Sequence, residues 1–437
     1  MNLGATLART LAHFFPDYQI WMWDVTDTRD QEAITYGRKF LLWQGLMLFL
    51  CKLGSRRQLR FALDSAEAVA NLNRLSGERQ KTRAHSDTVE HFLGHVPTCS
   101  LENLRHKLLH RLIRMKLLDY ARVGGYLPVV IDGTGLLNFG PHRHCTHCLT
   151  RTVNGHTEYY HHVLEAKLIT PDGLAFSLDS EFIENMDEGA SKQDCELKAF
   201  LRLAARLHQR YPQLQLCLLF DALYANGTAM QICEENQWKY LTTFKSGSLP
   251  SLWQEYQALR DQCPQNTRVL PASGQRPQQT FRWVNGLEHT DDQGRRHRLD
   301  ALECRERDPD GTDHYFAWLT NFPVDATNVA DLANRGGRCR WKIENEGFNN
   351  QKNGGFNLEH AYSTTHFKNW YILLQIAHLL LQLLERGKLL SAPCQKLFGS
   401  IRNLAVRLLE SFRNHVIPPE ALDPQATASI QIRLNSS

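Results

Sequence analysis

The sequence has little net charge, no internal repeat and no low-complexity tract. Its 437 residues carry 50 Lys and Arg against 46 Asp and Glu, which gives a net charge of +4. This excess is too small to predict a nucleic-acid partner by itself, although it allows a local basic face. A chain of this length predicts roughly two or three domains with a sizeable core.

Long hydrophobic runs are also missing. A membrane-spanning helix needs about 20 predominantly apolar residues, whereas the most apolar stretch covers only 370–384 and contains Gln375, His378 and Gln382. This stretch predicts a buried helix, and we expect no membrane partner. The sequence has no secretory signal pattern, and its 11 cysteines are unevenly spaced, so we expect a reducing cytoplasmic environment.

Positive charge is concentrated near the N-terminus. Residues 52–122 carry 14 Lys and Arg against 7 Asp and Glu, and apolar residues three and four apart predict that this region is helical. Arg56, Arg57 and Arg60 are candidates for neutralising DNA phosphates. A solvated helix face is the alternative interpretation.

The pattern changes near residue 125, where buried strands alternating with helices predict a mixed α/β layer. Strands are predicted at 126–131, 162–170, 174–182, 214–220, 239–244, 279–283 and 314–321. The predicted domains are a basic helical domain at 1–124, an α/β domain in two parts at 125–237 and 314–385, a β-rich insertion at 238–313, and a C-terminal helical region and tail at 386–437.

Two aspartates occupy the same kind of position in this α/β region. Asp132 follows the apolar run 126–131 and opens a predicted tight turn at 132–135, and Asp221 directly follows 214–220. A carboxylate at the carboxyl end of a buried strand faces the crevice where ligands bind. The two carboxylates lie close together if their strands are neighbours. A turn former or helix cap is the alternative role for each aspartate.

A helix-length segment near residue 344 carries more polar residues than helix propensity explains. Arg340 and Glu344 are four residues apart and face the same way on a helix, while Gly347 and the asparagines beside it are poor helix formers. An ordinary surface ion pair is the alternative. Glu346 points to nearly the opposite face from Glu344. Three carboxylates from separate segments commonly hold two Mg²⁺ ions about 4 Å apart for phosphodiester chemistry.

Three motifs together resemble the Asp, Asp, Glu signatures of bacterial insertion-sequence transposases. They are IDGTG at 131–135, LFDALYAN at 219–226 and RWKIE at 340–344. The segments YYHHVLEAKLITPDG, SEFIEN and KQDCE lie in the matching order between the two aspartates. The likeness spans residues 126–362 and is to the branch with a β-strand insertion between the second Asp and the Glu.

The resemblance implies an α/β, ribonuclease-H-like mixed sheet flanked by helices, with the β-rich insertion and the N-terminal helical domain added. It implies that Asp132, Asp221 and Glu344 hold two Mg²⁺ or Mn²⁺ ions, and that Arg340 orients Glu344 or binds the scissile phosphate. The implied function is cut-and-paste DNA transposition. The implied partner is double-stranded DNA, which supplies both the terminal repeats and the target. A homodimer across two ends and a bacterial, nucleoid-associated location are also implied.

Two further DNA contacts follow from the resemblance. Trp318 lies where relatives have a tryptophan that stacks near a flipped base, and a core aromatic is the alternative. The family often has a tyrosine at the position of Gly337. Its lysine, seven residues after the Glu, corresponds to Gln351, and Lys352 comes one residue later. One residue turns a side chain by about 100° around an α-helix, so the sequence leaves the route of Lys352 to the phosphate open.

A CxxC motif formed by Cys145 and Cys148 lies among histidines at 142, 144, 147, 156, 161 and 162. Zn²⁺ favours such ligands, but a structural site needs four and a second CxxC is missing. A reduced, local loop is the alternative. Two other functions therefore stay open: a decayed or domesticated transposase that only binds DNA, and a zinc-stabilised nucleic-acid adaptor with structural acidic residues.

Overall fold

The structure is a computed structural model of the chain. It describes residues 1–141, 145, 147–185, 193–274, 277–308, 310–425 and 430–433, so His142 and His144 of the sequence analysis lie outside the described residues. Within these ranges a mixed sheet of ten strands is flanked by helices. The α/β prediction is confirmed at this level.

The N-terminal part of the described chain is helical, as predicted. Its helices are α1 Leu3–Phe14, α2 Tyr18–Trp23, α3 Arg38–Leu50, α4 Gln58–Ala62, α5 Ala66–Ser76, α6 Ser86–Gly94 and α7 Thr98–Arg114. Apolar side chains surround α3, whose residues from Phe40 to Leu50 are all buried. Burial on every side makes α3 the central helix of this region.

The ten strands follow in the middle of the chain. They are β1 Leu127–Gly140, β2 Leu149–Val153, β3 His156–Ile169, β4 Ala175–Ile183, β5 Leu216–Phe220, β6 Lys239–Thr243, β7 Thr267–Leu270, β8 Gln278–Thr290, β9 Arg296–Arg307 and β10 Asp313–Thr320. Helices α8 Glu196–Arg210, α9 Gly227–Glu235 and α10 Pro250–Gln262 lie between them. The helix α10 had no counterpart in the sequence prediction, which expected strands and loops in this insertion.

The sheet has the strand order β2-β3-β1-β5-β6-β10-β9-β8-β7, with β4 paired to β3. The β1–β3 and β3–β4 pairs are antiparallel, whereas β1–β5 and β5–β6 are parallel. The β6–β10 pair and the pairs beyond it are antiparallel. The strands of the insertion therefore continue the central sheet through β10.

The predicted tight turn at 132–135 is wrong. The strand β1 continues to Gly140, and Asp132 pairs with Glu165 of β3 in a register that runs on through Gly135. The glycine at 133 serves packing instead, because a Cβ there would lie 2.3 Å from Glu196 Oε1. The Asp-Gly signal was therefore misread as a turn, when the neighbouring strand had already fixed an extended backbone.

Helices dominate the chain after β10. Residues 329–353 form one irregular helical segment that contains α11 Val329–Asp331, π-helical turns at Leu332–Gly336 and Ile343–Asn349, a 3₁₀ turn at Gly337–Arg340, and α12 Asn350–Asn353. The helices α13 Phe367–Arg386, α14 Cys394–Phe398 and α15 Ile401–Asn414 complete the list.

The helix α13 joins the N-terminal helices to the sheet. It packs against α3, α7 and β4, and its residues from Asn369 to Leu384 are all buried, which confirms the buried helix predicted for 370–384. Gln375 and Gln382 are satisfied by Lys167 and by the backbone of Ala175. No helix in the described part of the chain is both long and apolar enough to cross a membrane.

Candidate carboxylate site

Asp132 and Asp221 lie on adjacent parallel strands at the same level. The parallel register of β1 and β5 ends with Val130 opposite Leu219, and each aspartate lies two residues further along the chain, Asp132 within β1 and Asp221 just past β5. Asp221 directly follows β5 and its Oδ1 accepts a 2.9 Å hydrogen bond from the Leu223 amide, which fixes the carboxylate at the start of a short 3₁₀ turn. Both carboxylates therefore lie at the same end of two neighbouring interior strands of the sheet.

Arg340 links these two strands to the irregular helical segment 329–353, which comes much later in the chain. Its Nη1 lies 3.5 Å from Asp132 Oδ2, and its Nη2 lies 3.3 Å from Glu344 Oε1. The side chain of Arg340 is 15% exposed, whereas that of Glu344 is 52% exposed. Arg340 thus lies between the two carboxylates, with Glu344 at the open side of the site.

Glu346, the rival of Glu344, faces elsewhere. Its carboxylate lies beside Gly173 in the turn between β3 and β4, where a Cβ on that glycine would be 3.4 Å from the Glu346 Cδ. The two glutamates thus separate to different sides of the segment, as their spacing predicts.

A fourth carboxylate, Glu196, belongs to the site and was missed from the sequence. It is the first residue of α8, and its Oε1 lies 3.5 Å from His162 Nε2 on β3. A Cβ at Gly133 would lie 2.3 Å from Glu196 Oε1 and 2.7 Å from His162 Nε2. The absence of a side chain at Gly133 therefore makes the room in which the imidazole and the carboxylate meet beside Asp132.

Burial and mutual repulsion raise the pKa values of this cluster. Burial raises the pKa of Asp132 to about 6, and Glu344 and Asp221 add to the rise while Arg340 opposes it. Burial, followed by the charges of Asp132 and Asp221, raises the pKa of Glu196 to about 7. Such shifts are typical of functional sites, because a buried group of like charges is costly without a counter-ion.

The four carboxylates surround the site without closing on one point. Among the described residues, three potential metal-binding atoms lie within 4.8 Å of one another only in the group Cys145, Cys148 and His161. In that group the two cysteines are at disulfide distance. A possible metal-binding triad is thus present at the CxxC motif, and it includes His161.

Gln351 occupies the position where the family has a lysine, and Lys352 follows it; the two side chains have different surroundings. Gln351 is fully buried and its Nε2 donates to Gln375 Oε1 at 2.8 Å and approaches His378 Nδ1 at 2.9 Å. Lys352 pairs with Glu359 at 2.7 Å. Burial of His162 and, as the second cause, the positive charge of Lys352 lower the pKa of His162 to about 4.

The π-helical turn at Ile343–Asn349 explains this register. A π-turn accommodates one residue more than an α-turn, so the eighth residue after Glu344 takes the angular position that the seventh has in an α-helix. This count predicts that Lys352 projects from the face of Glu344, and it agrees with the burial of Gln351 in the core.

Trp318 is a buried strand residue on β10, 4% exposed, and its ring is stacked against Phe316 with centroids 6.1 Å apart. A Cβ at Gly337 would lie 2.3 Å from the indole, so the glycine backbone packs directly on the ring. Trp318 and Arg340 line the same cavity of about 930 Å³, which also has the exposed Trp341 at its wall.

The three arginines of the N-terminal region differ in their surroundings. Arg56 pairs with Glu90 at 3.0 Å and is partly buried. Arg57 and Arg60 are exposed, and the Arg60 guanidinium lies 5.8 Å from the Phe61 ring centre. Arg57 and Arg60 are therefore the members of this set that are open to a polyanion.

Comparison of the chain with models of known protein families finds no match. No curated protein matches it significantly either.

Proposed function

We propose that this protein is a bacterial insertion-sequence transposase that cleaves and transfers DNA ends in a reaction that depends on divalent metal ions. One observation carries the proposal. Asp132 and Asp221 lie side by side on parallel strands, and Arg340, more than 100 residues further along the chain, reaches Asp132 while it also holds Glu344. Three separated motifs that resemble the family's signatures thus converge in space.

A ribonuclease-H-like catalytic domain is part of this proposal. The strands β4, β3, β1, β5 and β6 lie in that order, the first three antiparallel and the last two parallel. This order supports the proposal because it puts one aspartate on the first strand and the other just past the parallel strand beside it. The β-rich insertion supports it as well, since β7 to β9 lie between Asp221 and Glu344 in the chain.

Two Mg²⁺ or Mn²⁺ ions fit the chemistry of the carboxylates. Oxygen ligands from carboxylates are those that these hard cations prefer. Burial, and after it the neighbouring carboxylates, raise the pKa values of Asp132 and Glu196, and a bound divalent cation would favour the charged forms of these groups. Asp132, Asp221 and Glu344 would hold the ions. When bound, such ions activate an attacking oxygen and stabilise the leaving oxygen at a phosphodiester.

The chain's own residues orient the reacting groups. Arg340 holds Glu344 and presents a guanidinium with several donors, which suits a phosphate oxygen as well as a carboxylate. Lys352, on the same face as Glu344, supplies a second positive charge for the DNA backbone. A scissile phosphate bound at the aspartates would be within reach of Arg340, which contacts Asp132.

DNA contacts beyond the reacting phosphate would come from two regions. The cavity beside Arg340 has the buried Trp318 and the exposed Trp341 in its wall, and an exposed aromatic ring such as that of Trp341 favours stacking of an unpaired base. Arg57 and Arg60 would neutralise phosphates of a transposon end, with Arg56 held back by Glu90. Double-stranded DNA, as terminal repeats and target, and a homodimer across two ends complete the proposal.

Cleavage of DNA by variants of the carboxylates tests this function. The substrate is a supercoiled plasmid that carries the DNA flanking the reading frame, incubated with Mg²⁺ or Mn²⁺. Asp221→Asn is expected to abolish nicking and strand transfer, because it removes a charged metal ligand, while binding to the same DNA in a mobility-shift assay is retained. Glu346→Gln is the matched control and keeps wild-type cleavage.

Two results would contradict the proposal. Cleavage by Asp221→Asn at the wild-type rate would remove the aspartate from the chemistry. If the wild-type protein binds this DNA but does not cleave it with Mg²⁺ or Mn²⁺, the protein is instead a decayed or domesticated transposase that acts as a DNA-binding protein.

A further inference from the structure

We propose that Cys145, Cys148 and His161 bind one Zn²⁺ ion in the reduced protein, and that this ion fixes the loop between β1 and β2 to strand β3. The inference does not depend on the proposed transposase activity. It rests on the arrangement of the two sulfur atoms around one imidazole nitrogen, on the group behind that imidazole, and on the place of the loop in the sheet.

The two sulfur-to-nitrogen distances are those that a tetrahedral zinc ion requires, whereas the two sulfurs are at disulfide distance and must separate on reduction for both to bind the ion. Cys145 Sγ and Cys148 Sγ each lie 3.5 Å from His161 Nε2. A zinc ion bound at about 2.3 Å from sulfur and about 2.0 Å from nitrogen in tetrahedral geometry separates these two atoms by about 3.5 Å. Both sulfur-to-nitrogen distances therefore agree with a shared ion.

A carboxylate stands behind the imidazole, on the side away from the sulfurs. His161 Nδ1 lies 4.0 Å from Glu184 Oε1 and is a buried nitrogen with no hydrogen-bond partner among the residues that the structure describes. Glu184 is in turn paired with Lys368. Histidines that bind metals usually present their second nitrogen to a carboxylate, which fixes the ring and the tautomer. The Glu184 carboxylate is in the direction where such a partner is needed.

The ring of His161 is held in place from its face as well. Phe367 is stacked against it with ring centres 4.2 Å apart and an interplanar angle of 30°. His147 and Cys148 are held beside the residues that follow β4, because Asn185 Nδ2 donates to the Cys148 carbonyl and the Asn185 amide donates to the His147 carbonyl. Both halves of the candidate site are therefore preorganised by contacts outside the three ligands.

The position of the triad connects it to the carboxylate site through strand β3. His161 and His162 are consecutive residues of β3, so their side chains point to opposite faces of the strand. His161 faces the two sulfurs, and His162 faces Glu196 at the carboxylate site. An ion that holds His161 therefore also fixes the strand segment from which His162 projects.

Zinc binding and a disulfide are alternative states of the same cysteines. The two sulfurs lie at disulfide distance, and reduction by a thiol reductant consumes two electrons and two protons to give two thiols. Binding of Zn²⁺ then forms two zinc–sulfur bonds and one zinc–nitrogen bond and releases the two thiol protons. Three protein ligands leave the fourth position of the ion for water or another ligand.

Metal content of the full-length protein tests the proposal. Protein prepared with a thiol reductant and a small excess of ZnSO₄, then freed of unbound metal, is expected to retain about one zinc per chain by mass spectrometry. Cys145→Ser and Cys148→Ser should each lose most of it. Cys99→Ser, which changes an exposed free cysteine on α7, is the matched control and keeps the full content.

A spectroscopic measurement covers variants that fail to fold. Wild-type protein loaded with Co²⁺ in place of zinc should show the intense thiolate-to-cobalt absorption of a site with two sulfur ligands. His161→Ala should lose metal, and His161→Cys, which restores a ligand, should recover it. Zinc well below one equivalent in the reduced wild-type protein, or zinc retained in Cys145→Ser, would overturn the assignment, whatever the outcome of the cleavage assays.

Discussion

The Nη1 atom of Arg340 lies 3.5 Å from the Oδ2 atom of Asp132, although 208 residues separate them in the chain. Arg340 comes from an irregular helical segment and Asp132 from the first strand of the sheet. This contact brings the RWKIE segment at 340–344 against the IDGTG segment at 131–135. The positive charge also lowers the pKa of Asp132 against the effect of burial.

Replacement of Arg340 by Met should change the pH dependence of cleavage. The variant keeps the aliphatic stem but removes the charge that lowers the pKa of Asp132, so that pKa rises above about 6 and the acid limb of the rate profile moves to higher pH. We expect at least about a tenfold loss of rate near neutral pH. Arg407→Met, on the exposed face of α15, is the control, and an acid limb that stays in place would refute the role of Arg340.

Replacement of Glu196 by Gln should stabilise the metal-free protein at alkaline pH. Its folded-state pKa of about 7 exceeds the ordinary 4.5, so protonation stabilises the fold fully below pH 4.5 and this stability is lost as the pH rises through 7. The neutral amide avoids that loss. Urea unfolding in EDTA should show a gain of about 1 to 3 kcal/mol at pH 8 and little change at pH 5.

The exposed Glu255→Gln serves as the control for that measurement. Equal free energies of unfolding for wild type and Glu196→Gln at pH 8 would show that burial and the neighbouring carboxylates do not disfavour the charged form of Glu196. The same Glu196→Gln variant is expected to cleave DNA more slowly, since it removes charge beside Asp132.

A methyl group at Gly133 should disrupt the site from within. Ala at this position puts its Cβ 2.3 Å from Glu196 Oε1 and 2.7 Å from His162 Nε2, and overpacking of this kind costs about 1 to 3 kcal/mol. We expect lower stability and strongly reduced cleavage. Gly135→Ala, where the added Cβ meets no atom of the described residues within 4 Å, is the matched control, and equal stability of the two variants would contradict the packing role.

Neighbouring substitutions at 351 and 352 should separate folding from DNA binding. Gln351→Ala leaves Gln375 and His378 with fewer buried partners, so we expect a loss of about 1 to 3 kcal/mol in the free energy of unfolding. Lys352→Ala should leave stability unchanged but lower the slope of log affinity against log salt by about one. If both variants behave alike, the register set by the π-helical turn is not as described.

Arg57 and Arg60 should contribute to DNA affinity through charge alone. The double variant Arg57→Ala, Arg60→Ala is expected to reduce the salt dependence of DNA binding by about one to two units of slope, equally for specific and unrelated sequences. The double variant Arg407→Ala, Arg413→Ala, which removes two exposed arginines of α15, provides a control of the same charge change. An unchanged slope would exclude this face from the DNA path.

Much of the α/β region could be predicted from the sequence because its strands are continuous apolar runs. The strands near 162–170, 174–182 and 314–321 and the buried helix at 370–384 are present close to their predicted places. The error at 132–135 arose because Asp-Gly signals a turn locally, while pairing with β3 is a long-range effect that the local sequence does not contain.

The candidate site could be predicted only in part for a similar reason. Asp132 and Asp221 follow apolar runs, and Arg340 and Glu344 share a helical spacing, so each is visible in the sequence. Glu196 follows no apolar strand, and its approach to Asp132 depends on how α8 crosses the sheet. The π-helical turn before Lys352 is equally hidden, because the asparagines and the glycine around it indicate only a poor α-helix.

The strand β6 is hydrogen-bonded to β5 on one side and to β10 on the other. The β-rich insertion is thereby joined to the strand that precedes Asp221 by a continuous ladder rather than by a flexible tether. Any displacement of the insertion relative to Asp221 would therefore have to bend or break these backbone hydrogen bonds.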